Sequence, residues 1–460
     1  MDLNDAYSSS PAMIPVMSDS ALLRHMLRFE ATLAQAQAEA GLVPADAAEL
    51  IAGAAADLEN DEQAMFADAI LGGTVAIPLV KSLTAAVRAR SPAAAAFVHF
   101  GATSQDVIDS GLVLQLGEAL ALIDADLTRV ADAAGKLARD HARTPMLGRT
   151  VLQPATPITF GLKAAQWLAA AVDARARLRR VAAEALVSQF GGAAGTLGSL
   201  GDHGARTAEI LFRRLAALNA YAPARAATLH GTPLPWHTRR GALMSLASEI
   251  AIVTGVAGKI ARDISSMMQF EVAEAFEPVE AGRGASSAMP HKRNPVRCML
   301  TVSAAMRTPG LLATLLTGMV QEHERALGGW QAEWGALPQI VKLCSGALSN
   351  MAETLGGLNV DAARMRANFD ALKGLPMTEM LALALAPGMG RTEAFGLVEK
   401  AARQVGSGDR TLAEVIKADP GATRHLTPER IDAILDPLNN LGATQAFIDA
   451  ALASREAAGA

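Results

Sequence analysis

The chain has 460 residues, enough for two to four domains around a large core, and about half of them are apolar. A net charge of -5 gives no reason to expect nucleic acid or an anionic membrane as a partner, so any cationic site must be local. Cys298 and Cys344 are the two cysteines, which excludes a disulfide framework and a cysteine-based metal cluster and fits a reducing cytoplasm.

Aromatics are scarce and Ala and Leu dominate, which favours helix over sheet. The acidic start Met1-Asp2-Leu3-Asn4-Asp5 lacks the features of a signal peptide, and charges interrupt each apolar run, so no membrane span is expected. In chain order, Ser18-Asp19-Ser20 caps a helix running through Leu22, Leu23, Met26, Leu27 and Leu33 toward Gly41. A second helix is expected from Ala45 to Leu58. Val98-His99-Phe100-Gly101-Ala102-Thr103-Ser104-Gln105-Asp106 packs polar groups densely ahead of a long helix. Thr103 or Ser104 would cap it, with Asp106 in the first turn. Hydroxyls and free N–H groups at such a helix start also bind carboxylates.

Two apolar stripes then step by threes and fours. One runs from Leu112 through Leu116, Leu120, Ile123, Leu127, Val130 and Ala134 to Leu137, the other from Leu243 through Leu246, Ile250, Val253, Ala257, Ile260 and Ile264 to Met267. They predict helices roughly 40 Å long, packed nearly parallel in a bundle that needs partners, so a homo-oligomer is expected. Between them, Gly148 to Pro157 reads as a proline-containing turn that starts a helix through Phe160, Leu162, Ala165 and Trp167, with Arg149, Thr150 and Gln153 as donors for a carboxylate. Gly191 to Gly201 is glycine-rich but lacks the strand-turn-helix setting of a dinucleotide fold. His237 is expected to be a capping or surface residue. His323-Glu324-Arg325 reads either as a polar helix face or, through Arg325, as a carboxylate fork. Trp330 and Trp334 share a helix face and pack. Thr427, Pro428 and Glu429 start a helix in a small C-terminal region. No histidine pair is spaced to hold a metal.

Gly282 to Cys298 reads G-R-G-A-S-S-A-M-P-H-K-R-N-P-V-R-C. Small residues let this backbone approach a ligand, and Pro290 and Pro295 bracket the block His291-Lys292-Arg293-Asn294. It reads as a Gly/Ser linker before a basic turn, or as a mobile serine loop that holds a carboxylate while a proton moves at the next carbon. S-S-A-M-P-H-K-R-N-P closely resembles the S-S-x-M-P-x-K-x-N-P signature of the fumarase/aspartase superfamily. The stretches around His99 and around Arg149 resemble its other two signatures. His323-Glu324-Arg325 resembles its adenylosuccinate lyase-like branch.

The resemblance implies an all-α fold of three helical regions, here 1–110, 111–357 and 358–460, whose long central helices form a bundle shared in a homotetramer with active sites built from three subunits. It implies no metal or organic cofactor and a small carboxylated substrate. By the same resemblance Ser286 exchanges the proton alpha to a carboxylate, Lys292 and Asn294 stabilise the enediolate, and His99, Thr103, Ser104, Arg149, Thr150, Gln153, Thr196, His291 and Arg325 bind substrate. The chain departs from the lyases at Val151 and Met299, where those enzymes carry a histidine and its supporting glutamate near the leaving group. A leaving group that needs no proton, such as an internal carboxylate, would tolerate this. M-L-R-F-E-A-T-L-A (Met26 to Ala34), F-G-A-T-S-Q-D and H-E-R-A-L-G-G-W-Q-A-E-W resemble the 3-carboxy-cis,cis-muconate cycloisomerase family, which closes a lactone from a tricarboxylate in protocatechuate breakdown. The runner-up is adenylosuccinate lyase. Ala6-Tyr7 and Gly328-Gly329-Trp330-Gln331 depart from its nucleotide-binding pattern. A non-catalytic helical scaffold, which would need neither Ser286 nor Lys292, is the alternative of another class.

Overall fold

The computed structural model describes residues 3–59, 61–221, 234–280, 282–285, 288–289 and 291–459. They are overwhelmingly helical. Five long helices, Ser104–Asp140, Phe160–Ala185, Gly241–Met267, Val296–Gly318 and Gly329–Gly356, form the frame. Both expected stripes are buried, from Leu116 to Leu137 on the first helix and from Leu243 to Met267 on the third, with Leu112 partly exposed. The helix ends are where local chemistry places them. Ser18 accepts a hydrogen bond from the Ala21 N–H and opens Asp19–Glu39. Thr427 caps Pro428–Leu435, with Pro428 at the first helical position.

The chain divides into two compact units, each drawn from three segments. The first comprises 1–126, 174–258 and 300–349. Its core joins Leu23, Phe29 and Leu33 of Asp19–Glu39 to Ile51, Leu79, Val107, Phe190, Leu211 and Trp330. The second comprises 127–173, 259–299 and 350–460. Its largest apolar cluster joins Leu381, Leu385, Val398, Leu412, Ile416 and Ile431, and a smaller one joins Leu147, Phe369 and Met377.

Three expectations need correction. Gly148 to Pro157 does not turn directly into a helix. It forms an antiparallel hairpin of β1 (Pro145–Thr150) and β2 (Gln153–Thr159), followed by the helix Phe160–Ala185. Its two-residue tip, Val151-Leu152, has both φ angles positive (49° and 64°), the geometry whose twist matches a tight hairpin. Pro154 and Pro157 stand at strand positions, where their missing N–H costs little at the edge of a two-stranded sheet. Second, His323-Glu324-Arg325 is not on a helix but in the loop between Val296–Gly318 and Gly329–Gly356, with His323 at φ 49°. Third, although Glu249 and Lys259 interrupt one run and Arg307 the other, Gly241–Met267 and Val296–Gly318 are long and apolar enough to cross a membrane by length and composition.

Half of the apolar stretch of Gly241–Met267 is buried, but only 22% of that of Val296–Gly318. On the latter, Met299, Ser303, Met306, Gly310, Ala313 and Thr317 are all exposed, at alternating spacings of four and three. Small and apolar residues at that repeat form the seam of a coiled-coil-like packing. Here the seam faces no partner among the described residues of the chain.

Candidate active site

In the first unit the candidate site begins at His99, whose φ of 59° lies in the left-handed region. Its Nδ1 is 2.6 Å from Glu30 Oε1, and Glu30, on Asp19–Glu39, is 1% exposed. Burial pulls the His99 pKa down, but the Glu30 carboxylate and Asp106 outweigh it, and the imidazole is held above its ordinary value. Four residues on, Thr103 precedes the helix Ser104–Asp140. The Thr103 N–H donates to Asp106 Oδ2 at 3.0 Å, and Arg325 Nη1 donates to the Thr103 hydroxyl. Thr103 and Ser104 are partly exposed. Arg325 is therefore anchored at the same helix start, although 222 residues separate it from Thr103.

Asp106 does more than open the helix. Fully buried, it also accepts from the Gly191 N–H (3.0 Å) and Gly192 N–H (2.9 Å) and pairs with His237 Nε2 at 2.8 Å. His237 is thus a buried partner of Asp106, not a surface residue. One carboxylate ties the glycine-rich loop, the helix start and the turn before Gly241–Met267. The loop packs so closely that a Cβ on Gly192 would lie 2.9 Å from the Gly101 carbonyl. Thr196 sits exposed on this loop and accepts from the Gly198 N–H. One turn below Asp106, Asp109 receives a bidentate fork from Arg240, at 2.7 and 3.1 Å. Arg240 also donates Nε to Glu333 at 3.0 Å, and Trp330 Nε1 donates to Asp109 at 3.1 Å. Trp330 therefore packs edge-on against Trp334, as the i, i+4 spacing implies, and also bonds within a buried ionic cluster.

The second unit carries the other candidates. Arg149 on β1 forks onto the buried Glu274 at 2.9 and 2.6 Å, and Asn368 donates to the same carboxylate at 2.9 Å. Thr150 and Gln153 flank the hairpin tip and are exposed, as is Val151, at 95%. The loop 282–298 is closed at its base. Ala285 and Arg293 form an antiparallel bridge, and Gly284 O accepts from both the Asn294 N–H (3.0 Å) and Asn294 Nδ2 (3.3 Å). Gly284, at φ +72°, allows this: a Cβ there would meet the Asn294 carbonyl at 2.7 Å. His291 and Lys292 stand exposed beyond the bridge, Arg293 is exposed within it, and Asn294 is half-buried. Ser286, with Ser287 and Pro290, lies outside the described residues. Behind the loop, Glu277 accepts from the Arg297 and Cys298 N–H groups and so caps Val296–Gly318. No group of His, Cys, Asp and Glu side chains fit to hold a metal occurs among the described residues.

The structure thus brings His99, Thr103, Ser104 and Arg325 together in one unit, with Thr196 on the loop tied to them through Asp106. It brings Arg149, Thr150 and Gln153 together on one hairpin in the other, where His291, Lys292 and Asn294 share one loop. Sequence reasoning missed Glu30, His237, Arg240 and Glu274. Each is a buried partner of a distant residue, and the one local hint was the spacing of Asp106 and Asp109, which puts both carboxylates on one face of a helix start.

A family model described as lyase matches residues 6–310, and one described as adenylosuccinate lyase C-terminus matches 374–451. The chain is 47% identical over 448 residues to the 3-carboxy-cis,cis-muconate cycloisomerase of Bradyrhizobium diazoefficiens, covering 97% of each chain. To the protein of that name from Pseudomonas aeruginosa it is 44% identical, covering 99% of this chain and 97% of the other. The crystal structure of 3-carboxy-cis,cis-muconate lactonizing enzyme from Pseudomonas putida matches with a TM-score of 0.90 at 42% identity, over 100% of both chains.

Proposed function

The chain belongs to the lyase family of the fumarase/aspartase superfamily, and from that premise we propose that it closes 3-carboxy-cis,cis-muconate to 4-carboxymuconolactone, a step of protocatechuate breakdown through β-ketoadipate. The observation that carries the reading is the apolar pair Val151 and Met299, which stand exposed where an acid and its partner would protonate a leaving group. Lactone closure needs neither. One substrate carboxylate adds to the conjugated double bond and electrons move onto a second carboxylate as an enediolate. Ser286 then delivers a proton to the alpha carbon, and in reverse the departing group is a carboxylate already stable as an anion.

In this reading Lys292 and the free N–H of the Asn294 amide hold the enediolate, close to a loop whose base is already formed. His291, Thr150, Gln153 and the Nε–H of Arg149 supply further donors. His99, Thr103, Ser104, Thr196 and Arg325 form the other wall. These walls meet through assembly: the chain acts as a cytoplasmic homotetramer of three helical regions, 1–110, 111–357 and 358–460, each site drawing on three subunits. The exposed seam of Val296–Gly318 supports that assembly.

The test is spectrophotometric. Purified protein is given 3-carboxy-cis,cis-muconate without added metal while the conjugated-diene absorbance is followed, with adenylosuccinate in parallel. Rapid diene loss, abolished by Ser286→Ala, is expected. Cleavage of adenylosuccinate with no diene loss overturns the reading.

A further inference from the structure

We propose that Glu30 is a positioning residue for the reaction, holding His99 by Nδ1 so that Nε2 is left as the donor to a substrate carboxylate. The inference rests on the reading of His99 as substrate-binding and adds to it a residue from another helix. Its ground is geometric. The contact is 2.6 Å, and Glu30 is buried. Its second oxygen, Oε2, has no hydrogen-bond partner among the described residues, so His99 is the one partner found for this carboxylate. A buried carboxylate with a single bond is costly. It is not satisfying a helix end or knitting two helices together, as Asp106 and Asp109 do. Meanwhile His99 occupies a left-handed backbone conformation, a strain that structures hold where a side chain must be aimed.

The groups acting on the imidazole are few. Glu30 faces it from Asp19–Glu39 and Asp106 from the start of Ser104–Asp140, and both favour the cation. Beyond Asp106 stands His237, and Arg325 lies on the neighbouring Thr103. The packed glycine-rich stretch 191–200 contributes no ionisable side chain. A ring with Nδ1 committed to a carboxylate presents Nε2–H at its opposite edge, and there it has a fixed direction and a positive charge to offer a polycarboxylate.

The experiment compares wild type, Glu30→Gln and Glu30→Asp by two readouts. First, acylation of His99 by diethyl pyrocarbonate, which attacks the neutral ring, is followed against pH by peptide mass spectrometry. Second, kcat and KM for 3-carboxy-cis,cis-muconate are measured across pH. In Glu30→Gln the acylation midpoint is expected to fall by about 1–3 pH units. Since the cation binds substrate, the alkaline limb of kcat/KM should move down with it, with the loss mainly in KM and smallest at low pH. Glu30→Asp, which keeps the charge, should restore most of both, and it carries the test should Glu30→Gln fail to fold. An unchanged midpoint, or a loss of equal size at every pH, overturns the proposal. A lowered midpoint in a protein whose wild type leaves the diene untouched keeps the Glu30–His99 assignment and removes the cycloisomerase reading instead.

Discussion

Arg240→Met should show how the first unit is locked. Arg240 is wholly buried between Asp109 and Glu333, and its guanidinium makes two bonds to each. Methionine fills much of the volume but leaves two carboxylates facing each other without a cation. Breaking a buried pair by removing one partner costs about 3–5 kcal/mol, most of it the desolvated charge left behind. The sign with pH follows from Glu333. Burial already pushes its carboxyl up, against the pull of Arg240. Without Arg240 it rises further above its unfolded value. The neutral form is then the one that stabilises the fold, and that contribution is lost as pH rises through the folded pKa. The deficit should therefore be largest near neutrality and shrink toward pH 5. Urea unfolding, read as the midpoint multiplied by the slope, measures it, and Asp109→Asn in the Arg240→Met background should recover part of the loss. A deficit below about 1 kcal/mol at neutral pH, or one that is constant between pH 5 and 8, would refute the reasoning.

Gly192→Ala adds a Cβ 2.9 Å from the Gly101 carbonyl at a φ of +68°, so it should cost about 1–3 kcal/mol and raise KM, measured by urea unfolding and steady-state kinetics. Met306→Glu places a charge in the middle of the exposed seam of Val296–Gly318 and should dissociate the proposed homotetramer, read by sedimentation velocity. A tetramer that survives it would move the interface elsewhere. Burial pushes the Cys344 thiol up to about 12 and raises that of Cys298 as well, so neither should react with a thiol reagent at pH 8 until guanidinium is added.

The long helices were legible because burial on one face leaves a period that any window of fifteen residues reveals. Leu243 to Met267 needed no tertiary knowledge. Ser18 and Thr427 were legible for the same reason, since a cap acts within its own four residues. The hairpin at Arg149 was not. Its two prolines speak for a helix start, and its turn uses Val151 and Leu152 at positive φ in place of the Asn or Gly that would announce it. The signature residues stood out by their order, but their holders did not. Glu30 lies 69 residues from His99, Glu274 lies 125 from Arg149 and His237 lies 131 from Asp106. Such pairs follow from packing and leave no local period. His237 looked like a cap because a turn residue before a helix usually is one, and the buried carboxylate it answers belongs to another helix.

The cap that Glu277 places on Val296–Gly318 reaches into anion selectivity. A helix start with free N–H groups attracts any small anion, phosphate and sulfate included. Here an internal carboxylate already occupies that position, at 2.7 Å from the Cys298 N–H. The helix that follows the Lys292 loop thus offers no general seat for inorganic ions. If this loop receives an organic acid as proposed, the N–H groups of Arg297 and Cys298 are already taken and recognition must come from elsewhere on the loop.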